Sequence, residues 1–166
     1  YDPSNWACDF DRTGYRLPTE AQWEYAARDG RSGNRFPWGD TISQEQANYY
    51  SDDYYSYDVS STRGHHPAWD DGTYPYTSPA GSFAAGDYGL CDMAGNVWEW
   101  CNDWYEDYGS VSQTDPTGPS AGDSRVFRGG GWVSVAAGCR IAMRNQEEPS
   151  WRACSVGFRV VHAAER

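Results

Sequence analysis

The sequence predicts a small α+β domain dominated by loops, with few helices and a small, mostly antiparallel sheet. Its length of 166 residues suits one domain, and we assign residues 1–166 to a single domain. The 9 tryptophans and 13 tyrosines indicate a core built from amphipathic aromatic side chains. The 18 glycines argue against a helical bundle, because glycine disfavours helix interiors.

One helix is predicted from Glu20 to Arg28. Thr19 and Gln22 have the spacing of a capping box, in which each side chain binds a free backbone N–H at the start of a helix. Pro18 stops regular structure upstream, and the Asp29-Gly30 pair is a typical helix end.

Three segments are predicted to be strands. In the first, residues alternate between two faces, and the last is rich in β-branched residues. The long polar segment from Asn34 to Ser82 shows no period and is predicted to be an ordered loop held by metal or by aromatic contacts. The strands are predicted over Val97–Trp104, Arg125–Val133 and Val156–His162.

The formal charge of −11 and the pI of about 4.5 exclude nucleic acid and anionic membrane surfaces as expected partners. They favour bound cations, or a basic or neutral partner, which we leave as an unknown protein or small ligand. No apolar run reaches the length of a membrane-spanning segment, and no signal peptide opens the chain. We expect a cell-surface or secreted location.

The 5 cysteines show no Cys-x-x-Cys spacing, and their odd number leaves at least one thiol outside any intramolecular pair. Cysteine is often a small core residue, so the pattern leaves the redox compartment and any pairing open. The cysteines are Cys8, Cys91, Cys101, Cys139 and Cys154.

A dozen residues from Gly89 to Trp100 carry the clearest chemical signal. Asp92 and Glu99 flank a tight turn, and the backbone carbonyls of Gly95 and Val97 are expected to face the same point. Several hard oxygen atoms around one point suit a calcium ion. The alternative is a tight turn with solvated acids.

This segment and three others, in the same order, resemble the formylglycine-generating enzyme family, also called the sulfatase-modifying-factor domain. The resemblance covers nearly the whole chain. It implies a variant of the C-type lectin fold, in a family with many members that are not enzymes. The other three segments are 14–28, Phe36 to Asp40 with Ala47-Asn48, and Arg128 to Trp132 with Cys139-Arg140, Arg144-Asn145 and Gly157 to Arg159.

The resemblance also implies where calcium binds. The family binds calcium through the segment that contains Asp92 and Glu99. A second site in the family joins an Asn after an Ala to an Asp before a Gly, with backbone carbonyls completing the shell. The matching residues here are Asn48, Tyr49, Asp71 and Thr73, and the aspartates that could replace Asp71 are Asp52, Asp53 and Asp70.

The enzymes of this family hold copper with two cysteine thiolates, the soft ligands that Cu(I) requires. This chain has Ser134 at the first of the two positions, and Cys139 lies close to the second. A hydroxyl does not replace a thiolate as a soft ligand, so we do not predict the copper-dependent oxidase. That oxidase, and an accessory docking domain of a larger enzyme or kinase, remain the alternatives.

The last family segment, which runs from Arg128 to Arg159, carries apolar and small polar residues between its fixed landmarks. These residues resemble the variable region of proteins diversified by retroelements. Met143 and Trp151 cannot arise from an asparagine codon by changing adenines alone, which departs from that pattern. The resemblance implies a ligand-binding face, with Trp151 as its anchor and Arg140, Arg144, Arg152 and Arg159 as inward-pointing scaffold. The predicted face consists of Val133, Ser134, Val135, Gly138, Ile141, Met143, Trp151, Ala153, Cys154 and Ser155.

Family members carry further sequence, including a strand and a helix, before the segment that begins here at Gly14. We therefore expect that the amino-terminal part of the fold was removed or is supplied by another segment or chain, or that this chain is a reduced version of the fold. The predicted function is a non-catalytic, calcium-stabilised domain that displays a variable recognition face.

Overall fold

The computed structural model describes residue 1 and residues 7–163, and its regular elements are few and short, as predicted. The described residues contain one α-helix and one short 3-10 helix, which covers Ala136–Cys139. The remaining elements are β1 (Gly14–Arg16), α1 (Glu20–Arg28), β2 (Trp98–Trp104), β3 (Arg125–Arg128), β4 (Arg144–Glu147), β5 (Val156–Gly157) and β6 (Val161–Ala163).

Helix α1 has the bounds that the sequence predicts. The capping box is formed: the Gln22 backbone N donates to Thr19 Oγ1 at 3.2 Å, and the Thr19 backbone N donates to Gln22 Oε1 at 3.0 Å. Trp23 and Ala27 are buried against the sheet. The cap and the apolar face together fix where this helix starts and how it packs.

Strands β4, β3, β2 and β5 form a four-stranded sheet in that order, and β1 pairs with β6 in a separate two-stranded sheet. All neighbours are antiparallel except β2 and β5, which are parallel. The prediction of a small, mostly antiparallel sheet is therefore confirmed.

Two strand predictions were wrong in extent. The strand predicted over Arg125–Val133 ends at Arg128, because Gly129 and Gly130 adopt positive φ angles of 96° and 76° and turn the chain away from the sheet. The segment predicted as one strand over Val156–His162 divides into β5 and β6, which have different partners. Strands β1 and β4 were not predicted.

Aromatic residues fill the core, as the composition predicts. One cluster surrounds Phe36, Ile42 and Tyr49 in the long loop, and another surrounds Trp23 on α1. In the loop, the rings of Tyr55 and Tyr57 stack with their centroids 5.2 Å apart. Aromatic stacking thus holds a segment that has no strands of its own in the described structure.

A buried ionic network joins α1 to the sheet. The Arg128 side chain, fully buried in β3, donates to Glu20 Oε1 at 3.0 Å and also binds Glu24. Arg144 on β4 donates to both oxygens of Glu20, at 2.6 Å and 2.8 Å. Charges removed from water in this way are stable only as a paired set.

Asp103 gives this network a pH-dependent neighbour. Its carboxylate accepts a hydrogen bond from the Glu20 backbone N at 2.8 Å, at the first turn of α1. Burial raises the pKa of Asp103 from 3.8 to about 6, although this hydrogen bond opposes the shift. Because the folded pKa lies above the unfolded value, the stabilising contribution is complete below about pH 4 and is lost as pH rises through 6.

We expect Asp103→Asn to raise the free energy of unfolding by about 2–3 kcal/mol at pH 7.5, because asparagine keeps the acceptor and carries no charge. At pH 4 the increase in the free energy of unfolding should be below about 1 kcal/mol, because the Asp103 carboxyl is then protonated in the folded state. Urea titrations at both pH values measure it, and Asp107→Asn, at an exposed aspartate of the following loop, controls for loss of one negative charge. A gain of equal size at both pH values would contradict this account.

No helix in the described part of the chain combines the length and the apolar character needed to cross a bilayer.

Candidate functional site

The turn between Asp92 and Glu99 packs on two other backbone segments. The Gly95 backbone N donates to the Gly129 carbonyl at 2.8 Å, and the Asn96 backbone N donates to the Asn48 carbonyl at 2.7 Å. Strand β2 then begins and carries Glu99 into the interior. The turn thus brings the first predicted calcium segment against Asn48 of the second.

Glu99 is paired inside the protein. Arg159 donates to Glu99 Oε2 at 2.5 Å and Oε1 at 2.6 Å, and Trp23 Nε1 donates to Oε2 at 2.7 Å. Burial lowers the pKa of Arg159, but the Glu99 hydrogen bond and charge outweigh this and leave it raised. A carboxylate has about four acceptor positions, so Glu99 keeps roughly one for a metal.

Asp92 retains an unused oxygen. Its Oδ2 accepts a hydrogen bond from the Gly81 backbone N at 2.5 Å, whereas its Oδ1 is buried without a hydrogen-bond partner. An unsatisfied buried carboxylate oxygen is costly, and a cation is one way to satisfy it. Carboxylate oxygens such as those of Asp92 and Glu99 suit a calcium ion better than a soft metal.

The residues of the second predicted calcium site are divided between the protein interior and the surface. Asn48 and Tyr49 are buried, and Asn48 Oδ1 also has no hydrogen-bond partner. Asp71 and Thr73 are exposed, and the Asp71 carboxylate accepts from the Thr73 backbone N at 2.8 Å. The Asn48 Nδ2 donates a hydrogen bond to the Tyr76 carbonyl at 2.8 Å, and this bond joins Asn48 to the loop that contains Asp71 and Thr73.

Among the described residues, no group of three or more His, Cys, Asp or Glu side chains is placed to hold a metal. A calcium ion at Asp92 would therefore depend on backbone and water oxygens for most of its shell, as calcium sites commonly do.

Ser134, at the first copper-ligand position, and Cys139, which lies close to the second, do not fit copper. Ser134 offers a hydroxyl, which accepts a hydrogen bond from the Gly131 backbone N at 3.0 Å. Cys139 is buried in the core, and this burial raises its pKa to about 12, so the thiol stays protonated at neutral pH. One hydroxyl and a single buried sulfur do not make the pair of soft thiolate ligands that Cu(I) requires.

Most of the predicted recognition face reaches the surface. Val133 is 47% exposed and Cys154 is also exposed. Trp151 is half-buried, with its ring stacked on Phe127 at 5.8 Å. The other half-buried members are Ser134, Val135, Met143, Ala153 and Ser155.

Two buried tryptophans connect these residues. Trp98 donates its backbone N to the Ser155 carbonyl at 2.8 Å, and its ring meets Phe127 at 5.1 Å. Trp132 Nε1 donates to the Cys154 carbonyl at 3.4 Å. Residues from the two ends of the family segment Arg128–Arg159 therefore pack close together, on the buried rings of Trp98 and Trp132.

Three members of the predicted arrangement were wrong. Ile141 is only 2% exposed and packs in the core cluster of Trp23, so it cannot contact a ligand. Gly138 is buried in the 3-10 helix and has no side chain to display. Arg152, predicted as inward scaffold, is exposed.

Sequence reasoning missed a cluster of aromatic residues beside this face. The rings of His65 and Tyr74 each contact both Trp132 and Tyr76. Tyr50 packs against His65. The available signal was the density of tyrosines in the long loop, which is interrupted by the His65-His66 pair. No period connects these positions, because the loop folds back on itself.

Within residues 7–163, one α-helix, a small mixed sheet and long ordered loops define a C-type-lectin-like domain. The chain belongs to the family described as the sulfatase-modifying factor enzyme 1-like domain, which matches residues 1–164.

Two curated relatives and one solved structure illustrate the range of this family. The formylglycine-generating enzyme of Mus musculus is 38% identical over 150 residues, 88% of this chain and 38% of that protein. The serine/threonine-protein kinase pkn1 of Chlamydia caviae is 39% identical over 150 residues, 88% of this chain and 21% of that protein. The structure of Treponema denticola variable protein 1 is 30% identical and matches with a TM-score of 0.70 over 92% of this chain and 49% of that chain. The chain thus spans less than half the length of each.

Proposed function

We propose that this chain is a non-catalytic binding domain, in which a calcium-stabilised C-type-lectin-like frame displays a variable recognition face. One observation carries the proposal. Residues of the family segment Arg128–Arg159, among them Val133 and Cys154, are exposed, and the aromatic residues beneath them are fully or nearly fully buried. Exposed apolar groups on a rigid frame are typical of binding sites, and such a frame tolerates changes at its surface.

The donor atoms support binding over oxidation chemistry. Copper oxidases of this family need two thiolates, and here Ser134 and the buried Cys139 thiol stand near those positions. The similarity to Treponema denticola variable protein 1 also favours a variable protein. The similarity to a protein kinase supports a second candidate, in which the domain docks partners within a longer protein.

Calcium is proposed at the turn that contains Asp92. The support is the buried Asp92 Oδ1, which has no hydrogen-bond partner, in a segment that also carries Glu99, a carboxylate that Arg159 leaves only partly open. The ion would join the Asp92 turn to the frame and so stabilise the loops that flank the recognition face.

We expect calcium to raise the melting temperature and a chelator to lower it. Binding to the folded state at a hundredfold excess over the dissociation constant adds about 2.7 kcal/mol of stability. Cu(I), titrated under reducing conditions, should not bind with the affinity of a thiolate pair. Thermal unfolding and competition with a chromophoric Cu(I) chelator measure the two responses.

Asp92→Asn is the sharper variant for this test. Asparagine keeps the acceptor for Gly81 and tolerates the left-handed backbone of Asp92, with φ of 56°, but removes the charge that calcium needs. Glu99→Ala should also weaken calcium binding, but it leaves the half-buried Arg159 without its carboxylate partner. Asp123→Asn, at an exposed loop position, is the control. A melting temperature that calcium and chelator leave unchanged, or tight Cu(I) binding, would overturn the proposal.

A further inference from the structure

Five aromatic rings form one contiguous cluster next to the recognition face. We call this cluster the aromatic patch; its centroid separations run from 4.6 Å to 5.4 Å. Four of its members come from the long loop, and the fifth follows the glycine turn after β3. Its members are Tyr50, His65, Tyr74, Tyr76 and Trp132.

The aromatic patch has a buried base and an open upper layer. Trp132 and Tyr76 are 1% and 8% exposed, whereas Tyr74 is 65% exposed and Tyr50 is 38% exposed. The Tyr74 ring stacks on Tyr76 at 4.6 Å and meets Trp132 edge-on at 5.2 Å. A ring held in this way offers a wide surface without losing much further side-chain freedom on binding.

Backbone contacts join the patch to the recognition face. The Tyr50 backbone N donates to the Ser134 carbonyl at 2.9 Å, and Trp132 Nε1 donates to the Cys154 carbonyl. Val133 follows Trp132 directly and is exposed. A ligand that lies on Val133 and Cys154 would therefore extend onto Tyr50 and Tyr74.

The segment that forms most of the patch is strongly acidic. Between residues 49 and 76 the sequence has 5 aspartates and 1 arginine. That arginine, Arg63, is held by Asp53 at 2.5 Å and lies 3.5 Å from Asp58. Asp70 is exposed, and after burial its negative charge is the next cause that raises the pKa of Tyr76, the ring on which Tyr74 stacks. The patch thus combines open aromatic faces with an unbalanced negative charge.

We infer that the aromatic patch binds an arginine or lysine side chain of a basic protein segment, whose cation lies over Tyr74 and next to Asp70. The inference rests on the proposed function and names the chemistry of its partner. Aromatic faces attract cations, and a neighbouring carboxylate adds to that attraction. The net charge of −11 favours approach of a basic partner over the whole surface.

The same geometry occurs inside this fold. The Arg144 guanidinium lies 3.9 Å from the centroid of the Tyr108 ring, and the Arg35 guanidinium lies 4.3 Å from that of Tyr57. Tyr74 has no such cation above it among the described contacts. A guanidinium from another protein would complete at Tyr74 the pairing that Tyr57 and Tyr108 make within the chain.

A titration with N-acetyl-arginine amide, followed by two-dimensional NMR of the calcium-loaded protein, tests the inference. We expect shifts centred on the Trp132 indole N–H and the backbone amides of His65 and Tyr74. Tyr74→Ala and Asp70→Asn should each weaken binding by about two- to fivefold. N-acetyl-citrulline amide, which has the same shape without the charge, should bind more weakly by a similar factor.

Tyr15→Ala is the matched control, because Tyr15 is also an exposed tyrosine, 75% exposed, on the separate β1–β6 sheet. It should bind the probe like the unaltered protein. Equal binding of the arginine and citrulline probes, shifts elsewhere, or no shifts would overturn the inference. If calcium still stabilises the protein in that case, the proposed function stands and only the partner chemistry is wrong.

The absence of lysine from the sequence allows a second measurement. A carbodiimide couples carboxylates to amines, and this chain can offer only its terminal amine in competition with an added one. We expect N-acetyl-lysine amide to couple to Asp70 more than to Asp123, as measured by peptide mass spectrometry. Tyr74→Ala should remove that preference, and equal coupling at the two aspartates would count against the site.

Discussion

Replacing Arg128 with alanine is expected to lower the free energy of unfolding by about 3–5 kcal/mol, the usual cost of breaking a buried ion pair. The Arg128 side chain is fully buried and binds Glu20, Glu24 and the carbonyl of Ile141. Its guanidinium also lies 5.4 Å from the ring of Trp23. Removing it leaves the buried Glu20 with half of its positive partners and opens a cavity between α1 and β3.

Arg28→Ala is the matched control for this prediction. Arg28 also pairs with Glu24, at 2.6 Å, but its side chain is 35% exposed and the pair lies within one helix. We expect that variant to cost less than about 0.5 kcal/mol. Urea unfolding of both variants at pH 7 gives the comparison. Similar small losses for the two would show that the network around Glu20 does not hold α1 to the sheet.

Arg128→Met separates charge from packing. Methionine restores much of the volume, and Arg144 still neutralises Glu20 through two hydrogen bonds. The methionine variant should therefore lose less stability than the alanine variant, because buried ion pairs often stabilise little more than apolar residues of similar size. An equal loss would assign the effect to charge alone.

The sequence predicts the parts of the fold that depend on neighbouring residues. The bounds of α1 follow from Thr19 and Gln22, which form a local capping box. Strand β4 could not be predicted in this way, because its four residues, Arg144–Glu147, have no apolar alternation. They form a strand because they pair with β3, an interaction between segments that are distant along the chain.

The candidate site also has features that the local sequence predicts and features that depend on contacts between distant segments. Asp92 and Glu99 can be singled out from the sequence, because a short motif around the Gly95 turn contains both. The pairing of Glu99 with Arg159 spans 60 residues and depends on how β5 joins the sheet. Ile141 has the same apolar character as Val133, yet one is buried and the other exposed. Residue type alone cannot distinguish them, because the direction of each side chain is set by tertiary packing.

Gly95→Ala is expected to be the most damaging change within the turn itself, costing about 3 kcal/mol or more. A Cβ at this position would lie 2.5 Å from the Asn48 carbonyl oxygen and 3.1 Å from its carbon, which are backbone atoms that cannot rotate away. The backbone also has a φ of 79°, which alanine adopts at a cost of roughly 1 kcal/mol.

Gly33→Ala isolates the two causes. Gly33 has nearly the same φ, 83°, but nothing lies within 4 Å of a Cβ built there, so only the backbone strain of about 1 kcal/mol applies. The difference between the two variants in urea unfolding therefore measures the close approach of Gly95 to Asn48. That approach also aligns the Asn96 N–H with the Asn48 carbonyl, so Gly95→Ala should reduce the response to calcium while Gly33→Ala leaves it intact. Equal losses of stability in the two variants would mean that the turn and Asn48 can separate without cost, and that the frame is looser than these contacts imply.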